Sequence, residues 1–391
     1  MGNVNLEKLG IIGSVGVPAK YGGFETLVHH LVLNLNDQFD MTIYSSKAAY
    51  KEQERVSTWN GAKIKYIPLQ ANGYQSVFYD LWSMLDALRY NQYLLILGVS
   101  AGIFIPILKL FTKKKFIVNI DGLEWRRPKW NRFAKTFLLF SEKMVCRYAD
   151  EIITDNRILK EYVKIRYSRD SRLIEYGADH TQKRKINEGS RIQFPFLDDD
   201  YAFKVARIEP ENHIHTILDA FSKKADLNFV LVGNWDSSKY GKKLRAYYNQ
   251  FEHLYLLDPI YKTEILDVLR SNAYIYVHGH SAGGTNPSLV EAMYLKLPII
   301  SFDAIFNRVT TDNQAIFFGN AKELAHILTH IKEYPLYSIS ENLKAIADKK
   351  YNWNIISIRY AKAIRNEVEE EIYIPQLENV VLESKEFQLQ D

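Results

Sequence analysis

Short apolar runs rich in β-branched residues alternate with longer amphipathic stretches along this chain, and the whole series occurs twice. The first series of strand-like runs is Lys8–Gly13, Met41–Tyr44, Ile64–Ile67, Leu94–Leu97, Phe116–Ile120 and Glu151–Thr154. The second is Tyr201–Ala206, Phe229–Val232, Leu254–Leu257, Tyr274–Val277 and Pro298–Phe302. Helical periodicity fills the gaps, as in Phe24–Asn36, where Leu27, Leu31 and Leu35 share one face. This alternation predicts parallel βαβ units, so the expected fold class is α/β with two doubly wound Rossmann-like domains.

The chain has 391 residues, too many for one ordinary domain and enough for two that each bury a core. A polar stretch, Asp179–Ser190, separates the two series and predicts a linker near residues 180–200. Open α/β sheets bind ligands at the carboxyl ends of their strands. We therefore expect the ligands in a central cleft between the facing strand ends of the two domains.

The cysteine content and the hydropathy of the chain indicate in which cellular compartment to expect the protein. Cys146 is the only cysteine, so it forms neither an internal disulfide nor a cysteine zinc site and fits a reducing environment. No basic segment followed by a long apolar stretch opens the sequence. The most apolar segment, Tyr93–Phe111, contains Gly98, Gly102 and Pro106, which favours a buried strand, loop and helix over a transmembrane helix. We expect a cytoplasmic protein.

Positive charge is concentrated in the first half of the chain. Residues 1–180 hold 25 Lys and Arg against 18 Asp and Glu, whereas residues 181–391 hold 25 against 28. Within residues 109–147, eleven basic side chains stand against three acidic ones. This pattern indicates an anionic partner, with ordinary solvated faces as the alternative. No nucleic-acid-binding motif accompanies the charge, so we expect no nucleic-acid partner.

A glycine-rich loop, Gly13–Glu25, joins the first strand to the first helix. Gly22 and Gly23 stand at the start of that helix, where backbone N–H groups can approach an anion or a sugar. The glycine spacing does not match G-x-G-x-x-G, and the second strand ends without an acid that could bind a ribose. We therefore do not expect NAD as a cofactor. Simple turn formation is the alternative role for these glycines.

A second glycine loop precedes a helix in residues 278–293, HGHSAGGTNPSLVEAM. Asn286 is placed to cap the helix and Pro287 to occupy its first position, where the missing N–H costs nothing. Free N–H groups at this helix start would bind a diphosphate. Glu291 lies about one turn inside, where its carboxylate can accept hydrogen bonds from ribose hydroxyls; a solvated Glu on a capped surface helix is the alternative. The residues expected to bind the nucleotide here are Gly284, Thr285, Asn286, Ser288, Leu289 and Glu291.

Four segments, in order, carry a resemblance to a known family: residues 15–28 (VGVPAKYGGFETLV), 121–130 (DGLEWRRPKW), 206–221 (ARIEPENHIHTILDAF) and 280–293 (HSAGGTNPSLVEAM). Together they resemble the bacterial retaining glycosyltransferases of the GT-B type, and most closely the rhamnosyltransferases that build cell-surface polysaccharides. The similarity spans nearly the whole chain, to about residue 360. It implies the GT-B architecture, in which two Rossmann-like domains face a central cleft.

The resemblance also implies roles for individual residues. Glu291 matches the second Glu of the family's Glu-x7-Glu segment, which holds the donor ribose, whereas Gly283 stands at the first position, which contacts the donor sugar. Arg207 matches a diphosphate ligand, and the family's partner Lys is replaced by Asn212, so helix dipoles and backbone donors must help to balance the charge. Asp121 follows the fifth strand, where a carboxylate can orient a sugar hydroxyl or stabilise the transition state; capping the next turn is the alternative. The expected catalytic residues are Asp121, Arg207 and Glu291.

Three clusters that look like metal sites have simpler explanations. Residues 198–200, three aspartates, precede a strand and fit a solvated loop. His213 with His215, and His278 with His280, lack neighbouring carboxylate or thiol ligands in the sequence. Because an arginine and helix ends can offset the diphosphate charge, we expect neither a metal nor another cofactor.

The resemblance implies a hexosyltransferase that moves L-rhamnose from dTDP-L-rhamnose, with retention of configuration, to a lipid-linked saccharide acceptor. It implies an acceptor domain at residues 1–182, a nucleotide-sugar domain at 183–350, and in 351–391 a helix that packs back toward the N-terminal domain before an acidic tail. A lipid-linked acceptor fits peripheral attachment to the anionic inner face of the cell membrane through residues 109–147. The alternatives are another nucleotide-sugar donor, a GT-B nucleotide-sugar epimerase and a catalytically silent subunit of a polysaccharide assembly complex.

Overall fold

The computed structural model describes residues 6–19, 22–127, 130–224 and 226–368. It divides into two compact units. The first contains the chain up to Glu175 together with the residues from Trp353, and the second is Tyr176–Asn352. The sequence predicted boundaries at 182/183 and 350/351, whereas the units divide at 175/176 and 352/353. The segment predicted to be a linker is part of the second unit, where residues 188–193 form a helix.

The first unit is built on one twisted sheet with helices between its strands. Its elements in chain order are β1 (Glu7–Ile12), α1 (Gly23–Leu35), β2 (Phe39–Ser46), β3 (Thr58–Trp59), β4 (Ala62–Ile67), α2 (Ser76–Tyr90), β5 (Tyr93–Leu97), α3 (Ile105–Lys109), β6 (Lys115–Ile120), α4 (Arg132–Tyr148), β7 (Glu151–Thr154), α5 (Arg157–Tyr167) and β8 (Arg172–Leu173). The strand order is β3-β4-β2-β1-β5-β6-β7-β8. All described pairs are parallel except β3 with β4.

The second unit repeats this design with a smaller sheet. Its elements are α6 (Glu188–Gln193), β9 (Tyr201–Val205), α7 (Ile214–Phe221), β10 (Asn228–Val232), α8 (Lys239–Tyr248), β11 (Leu254–Leu257), α9 (Thr263–Ser271), β12 (Ile275–His278), α10 (Pro287–Tyr294), β13 (Ile299–Phe302), α11 (Ile305–Thr310), β14 (Ile316–Phe318), α12 (Ala321–Thr329) and α13 (Leu336–Lys350). The strand order is β11-β10-β9-β12-β13-β14, with parallel pairing throughout the described strands. The order reverses between β9 and β12, which is where open α/β sheets bind ligands.

The last described helix, α14 (Trp353–Arg365), returns to the first unit. Tyr360 on α14 and the Asn119 side chain on β6 form a buried hydrogen bond. The Arg365 guanidinium lies 2.6 Å from the Glu7 carboxylate on β1. Tyr360 and Asn119 are both buried, and enclosing the Asn119 amide without a hydrogen-bond partner would be costly. These contacts attach α14 to the face of the sheet that also carries α1.

The apolar patterns of the sequence account for both cores. Leu27, Leu31 and Leu35, predicted to share one face of the first helix, are all buried on α1. Full burial of a Leu side chain stabilises a fold by roughly 1.5–3 kcal/mol, so this face alone fixes α1 against the sheet. Every strand predicted above is present, with its ends shifted by at most two residues. The predicted α/β fold with two Rossmann-like domains is therefore confirmed.

The apolar segment at residues 93–111 is β5, a 3-10 turn and α3, as predicted. Gly102 lies against the backbone of Ser141 on α4, which leaves no space for a side chain there. In the described part of the chain, no helix combines the length and the apolar composition that crossing a membrane requires.

Candidate functional site

Helix α10 begins as the sequence predicted, with Asn286 as its N-cap and Pro287 in its first position. The chain reaches that cap through Gly283 and Gly284, whose φ angles of 104° and 75° are in the left-handed region. Such angles are strained for any residue with a Cβ, so glycine is needed to turn the chain here. The carboxyl end of β12 is thereby connected to a capped helix start within eight residues.

The N–H groups expected to be free at this helix start are not free. The Asn286 Oδ1 accepts a hydrogen bond from the Ser288 N–H at 3.1 Å, and the Asn286 carbonyl accepts from Leu289 at 3.1 Å and from Val290 at 3.3 Å. Pro287 has no N–H. The prediction of free donors near Ser288 and Leu289 is therefore wrong, because the cap itself uses them. A diphosphate at α10 must rely on the helix dipole and on other donors.

Glu291 lies one turn inside α10 and is held by two basic side chains. Its Oε1 lies 3.1 Å from Nε2 of His180, and its Oε2 pairs with the Arg270 guanidinium. The Glu291 side chain is 14% exposed and that of Arg270 2%. Burial by itself raises the pKa of the Glu291 carboxyl, but the charges of Arg270 and His180 outweigh burial and hold that pKa below its ordinary value. The alternative of a solvated surface Glu is wrong.

Arg270 also binds a second carboxylate. Its guanidinium lies 3.2 Å from Oδ1 of Asp267, one turn earlier on α9, and Asp267 Oδ2 accepts a hydrogen bond from the Gln182 N–H at 3.4 Å. The sequence analysis missed Asp267, Arg270 and His180. Asp267 and Arg270 are an acid and a base three residues apart on one helix, which is a recognisable pattern. His180 lies in the segment taken for a linker and gave no comparable indication.

Arg207 and Asn212 are brought together at the carboxyl end of β9. The Asn212 amide nitrogen donates to the Arg207 carbonyl at 2.8 Å, and its Oδ1 lies 2.9 Å from Nδ1 of His280. Nε2 of the same His280 lies 3.3 Å from the Gly283 carbonyl oxygen. The buried Asn212 thus joins the loop that carries Arg207 to the glycine loop before α10. The Arg207 side chain itself is half exposed, 4.0 Å from the Glu209 carboxylate.

A side-chain carboxylate lies inside the glycine loop of the first unit. Gly22 caps α1, and a Cβ on it would lie 1.8 Å from Oε2 of Glu25, so the Glu25 carboxylate rests directly against the cap. Glu25 Oε1 accepts a hydrogen bond from the Val15 N–H at 2.6 Å. A carboxylate in the first turn already complements the positive end of α1. Gly22 and Gly23 therefore fit a neutral sugar at this helix start better than a phosphate.

Asp121 follows β6 directly, as predicted, and is partly buried. Its negative charge contributes, after burial itself and Asp155, to raising the pKa of the Tyr360 hydroxyl on α14. As the residue that follows β6, Asp121 lies at the carboxyl end of that strand. Asp121, Gly22 and Gly23 belong to the first unit, whereas Arg207, Asn212 and the residues from 284 to 291 belong to the second.

The clusters discounted as metal sites have other contacts. Asp198 pairs with Arg191 at 2.7 Å. Nδ1 of His213 lies 2.8 Å from the Gly279 carbonyl, and its ring stacks on Phe302 with centroids 3.6 Å apart. Nowhere in the described ranges do three or more His, Cys, Asp or Glu side chains converge in a way that could hold a metal ion.

Comparisons with known proteins divide the chain in the same way. Residues 6–179 match a family model described as a domain of unknown function, DUF1972. Residues 186–350 match the model for glycosyl transferases group 1. No curated protein sequence matches the chain.

Solved structures resemble most of the chain. A sucrose-phosphate synthase from Thermosynechococcus elongatus has a TM-score of 0.78 at 17% identity, over 92% of this chain and 98% of that chain. Anabaena HepE in complex with UDP-glucose has a TM-score of 0.71 at 14% identity, over 92% and 100%. A glycosyltransferase from Rickettsia africae has a TM-score of 0.68 at 13% identity, over 93% and 98%. At these identities the likeness shows the fold alone, so the chain has the GT-B fold.

Proposed function

We propose that this protein is a glycosyltransferase that moves a sugar from a nucleoside diphosphate to a hydroxyl group of an acceptor. The observation that carries the proposal is Glu291, a partly buried carboxylate kept ionised by Arg270 and His180, one turn inside the capped helix α10. An ionised carboxylate can accept hydrogen bonds from two vicinal ribose hydroxyls. The match of residues 186–350 to glycosyl transferases group 1 supports the same assignment.

The donor is a nucleotide sugar in this proposal. HepE, which shares the fold, was solved with UDP-glucose. The four motifs that resemble rhamnosyltransferases favour dTDP-L-rhamnose. Gly283 stands where the wider family has a carboxylate against the sugar, and glycine offers no side-chain acceptor for a sugar hydroxyl. We therefore expect the sugar to be recognised mainly through other groups, and a different nucleotide sugar is the first alternative.

The proposed chemistry is departure of the nucleoside diphosphate from the anomeric carbon while the acceptor hydroxyl attacks the same face. The leaving phosphate can take the acceptor proton, so a separate base is not required. Arg207 stabilises the charge that develops on the diphosphate, and Asp121 orients a sugar hydroxyl or stabilises positive charge on the reacting sugar. No metal ion is part of this mechanism. Binding energy serves chiefly to position the two substrates.

A lipid-linked saccharide is the proposed acceptor, with the first unit resting on an anionic membrane surface. Helix α3 ends at Lys109, and the next two side chains, Leu110 and Phe111, are 80% and 84% exposed. Three lysines follow at residues 113–115. Phe133, at the start of α4, is also exposed. Exposed apolar side chains beside lysines suit the boundary between headgroups and acyl chains, where both hydrophobic burial and attraction to anionic lipids contribute.

The test is a panel of nucleotide sugars screened first for thermal stabilisation and then for transfer. A ligand at 100 times its dissociation constant adds about 2.7 kcal/mol to the free energy of unfolding, which a melting curve resolves. We expect stabilisation by a nucleoside diphosphate and by its sugar, and transfer only when an acceptor is present. Turnover of the nucleotide sugar without an acceptor would instead indicate an epimerase. Failure to bind any member would indicate a silent subunit.

A further inference from the structure

The loops after β1 and β5 meet where the strand order of the first sheet reverses. β1 pairs with β2 on one side and with β5 on the other, and Ile12 is in register with Ile96. A Cβ on Gly13 would lie 2.2 Å from the Leu97 carbonyl oxygen, so the two loops are in contact. Open α/β sheets bind ligands at such a reversal, beyond the carboxyl ends of the strands. The proposed function assigns the acceptor to this unit.

Ser100, in the loop after β5, is hydrogen-bonded to a carboxylate that lies beneath the loop. Its hydroxyl pairs with Oδ2 of Asp80, in the second turn of α2. Asp80 is 2% exposed, whereas Ser100 is partly exposed. The Ser100 hydroxyl therefore connects the buried charge of Asp80 to the ligand-binding edge of the first sheet.

The protein does not compensate the charge of Asp80. Its second oxygen, Oδ1, is buried without a hydrogen-bond partner among the described residues. Burial raises the pKa of the Asp80 carboxyl to about 7, the hydrogen bond with Ser100 lowers it, and no described cation acts on it. Anchoring a loop does not require such a costly group: the neutral hydroxyl of Ser141, on α4, donates to the Val99 carbonyl of the same loop at 2.5 Å. An uncompensated carboxylate here therefore indicates a role for its charge.

The loop that carries Ser100 is held firmly by α4. Besides its bond to the loop carbonyl, the Ser141 hydroxyl accepts a hydrogen bond from the Ile103 N–H at 3.2 Å. A Cβ on Gly102 would lie 2.5 Å from the Ser141 carbonyl oxygen, so the chain passes directly against α4. A hydroxyl on such a rigid loop is preorganised, and binding a ligand costs it little conformational entropy.

Two carboxylates act on this edge of the sheet. The Tyr79 hydroxyl, next to Asp80 on α2, lies 2.9 Å from the Ser14 carbonyl oxygen in the loop after β1. After burial itself, the charges of Asp80 and Glu25 raise the pKa of that hydroxyl, so both carboxylates act on the same small region. A phosphate or carboxylate group of a ligand is repelled by such charges, whereas a neutral hydroxyl is not.

The Ser100 hydroxyl suits a ligand hydroxyl in either ionisation state of Asp80. When Asp80 is ionised, Ser100 gives its hydrogen to the carboxylate, and its oxygen can accept a hydrogen bond from the ligand. When Asp80 is protonated, it donates to Ser100, which can then donate to the ligand. A sugar hydroxyl both donates and accepts, whereas an ionised phosphate or carboxylate only accepts. The pair therefore selects a hydroxyl over an anion.

We propose that Ser100, positioned by Asp80, binds a hydroxyl group of the acceptor, and that the acceptor group bound here is a neutral sugar. This inference rests on the proposed function, because it names a binding group for the acceptor of the same reaction. Ser100 contacts the sugar, and Asp80 acts through Ser100 by orienting its hydroxyl and by repelling anions. Neither residue contributes to binding of the nucleoside diphosphate.

The experiment measures dissociation constants by NMR titration of the full-length protein, saturated with its preferred nucleoside diphosphate. The probes are neutral methyl hexosides and methyl glucuronide, which differs from methyl glucoside by one carboxylate. Ser100→Ala removes the hydroxyl, Ser100→Thr keeps it, and Asp80→Asn keeps the shape of the carboxylate without its charge. Ser83→Ala is the matched control, because Ser83 is a buried serine of α2 whose hydroxyl donates to the Tyr79 carbonyl at 2.7 Å.

We expect the wild-type protein to bind a neutral hexoside and to bind the glucuronide about tenfold more weakly or worse, because two carboxylates act on the site. Ser100→Ala should weaken hexoside binding by about threefold or more, the loss of one hydrogen bond, whereas Ser100→Thr and Ser83→Ala should retain it. Asp80→Asn should reduce the discrimination against the glucuronide to less than about threefold, an effect that requires the charge of Asp80. The affinity for the nucleoside diphosphate should not change in these variants.

The outcomes separate this inference from the proposed function. If the wild-type protein binds the nucleoside diphosphate but no neutral hexoside, or binds the glucuronide as well as the glucoside, the inference is refuted and the donor site stands. Hexoside binding by Ser100→Ala that equals that of Ser83→Ala would also refute it. An equal loss of hexoside and nucleotide binding in Ser100→Ala would show that Ser100 only holds the loop. If the wild-type protein binds no nucleoside diphosphate, the proposed function fails and this inference fails with it.

Discussion

Replacement of Glu291 by Gln removes a charge from the most specific part of the proposed donor site while keeping the shape of the side chain. Hydrogen bonds to a charged group contribute about 1.5–3 kcal/mol, so the affinity for a nucleoside diphosphate should fall about 10- to 150-fold. The bare nucleoside should be weakened by a similar factor, because the proposed contact is to the ribose. The structure adds a second effect: the variant leaves Arg270, which is 2% exposed, with only Asp267 as a charged partner.

The loss of that ion pair lowers stability on its own, since an unpaired buried charge is costly. Asp267→Asn is therefore the matched control. It removes the other carboxylate from Arg270, which Asp267 Oδ1 approaches to 3.2 Å, and it leaves Glu291 ionised. Both variants should melt at a lower temperature than the wild type. Only Glu291→Gln should weaken nucleotide binding by more than about threefold, because only Glu291 is proposed to accept hydrogen bonds from the ribose through a charged carboxylate.

Titration calorimetry with the nucleoside diphosphate and the nucleoside, at a temperature where both variants are folded, makes the comparison. Equal weakening by Glu291→Gln and Asp267→Asn would mean that Glu291 acts only as a structural partner of Arg270. Wild-type affinity in Glu291→Gln would show that the ribose is bound elsewhere, and the donor-site assignment would be wrong although the fold would not.

Three further predictions follow from the same structure. Sugar transfer should survive EDTA, because Arg207 and the dipole of α10 are proposed to balance the diphosphate; complete loss restored by magnesium or manganese would contradict this. Reversing the charges of Lys113, Lys114 and Lys115 to Glu should weaken binding to anionic vesicles about 100-fold or more, at roughly 1 kcal/mol for each lysine removed, with little effect on transfer to a soluble acceptor; equal wild-type binding to neutral vesicles at low salt would argue against the membrane contact. Lys204→Met should stabilise the empty protein at pH 7 by an amount on the order of 4 kcal/mol and raise its melting temperature by about 10 °C, because the pKa of Lys204 is about 7 when folded against 10.5 when unfolded. Between pH 7 and pH 10.5 the unfolded chain binds more protons than the folded chain, so the stability advantage of Lys204→Met should shrink as the pH rises. Calorimetry that finds a pH-independent difference in stability between the variant and the wild type, or no difference, would exclude a charged, buried Lys204.

Much of the fold was predictable because periodicity is a local property of the sequence. Several strands, such as β5 and β10, are almost continuous apolar runs, as expected when helices cover both faces of a parallel sheet. The elements that escaped prediction are β3, β8 and β14, which have two or three residues each. Such short strands depend on a neighbour for their pairing, and no periodic pattern fits into so few residues.

The site was predictable only where its geometry is local. The cap at Asn286 and Pro287 follows from residue type and position, and the structure has it as predicted. The use of the Ser288 N–H by that same cap was overlooked, although an Asn cap implies it. The partners of Glu291 come from α9 and from residue 180, which are 21 and 111 positions away. No sequence pattern connects residues at such distances, so these contacts required the structure.

The two departures from the family pattern, Asn212 and Gly283, belong to one local arrangement. His280 links them, with Nδ1 against Asn212 Oδ1 at 2.9 Å and Nε2 against the Gly283 carbonyl at 3.3 Å. A lysine at 212 could not accept a hydrogen bond from His280, and a glutamate at 283 would be strained at a φ of 104°. Asn212 and Gly283 are therefore compatible with each other, because both contact His280. Two unrelated substitutions in a protein that had lost its activity would not share a partner in this way. Because one positive and one negative side chain are absent together, the loops keep the same net charge. This agreement favours a donor site adapted to another sugar over a site that has lost its activity.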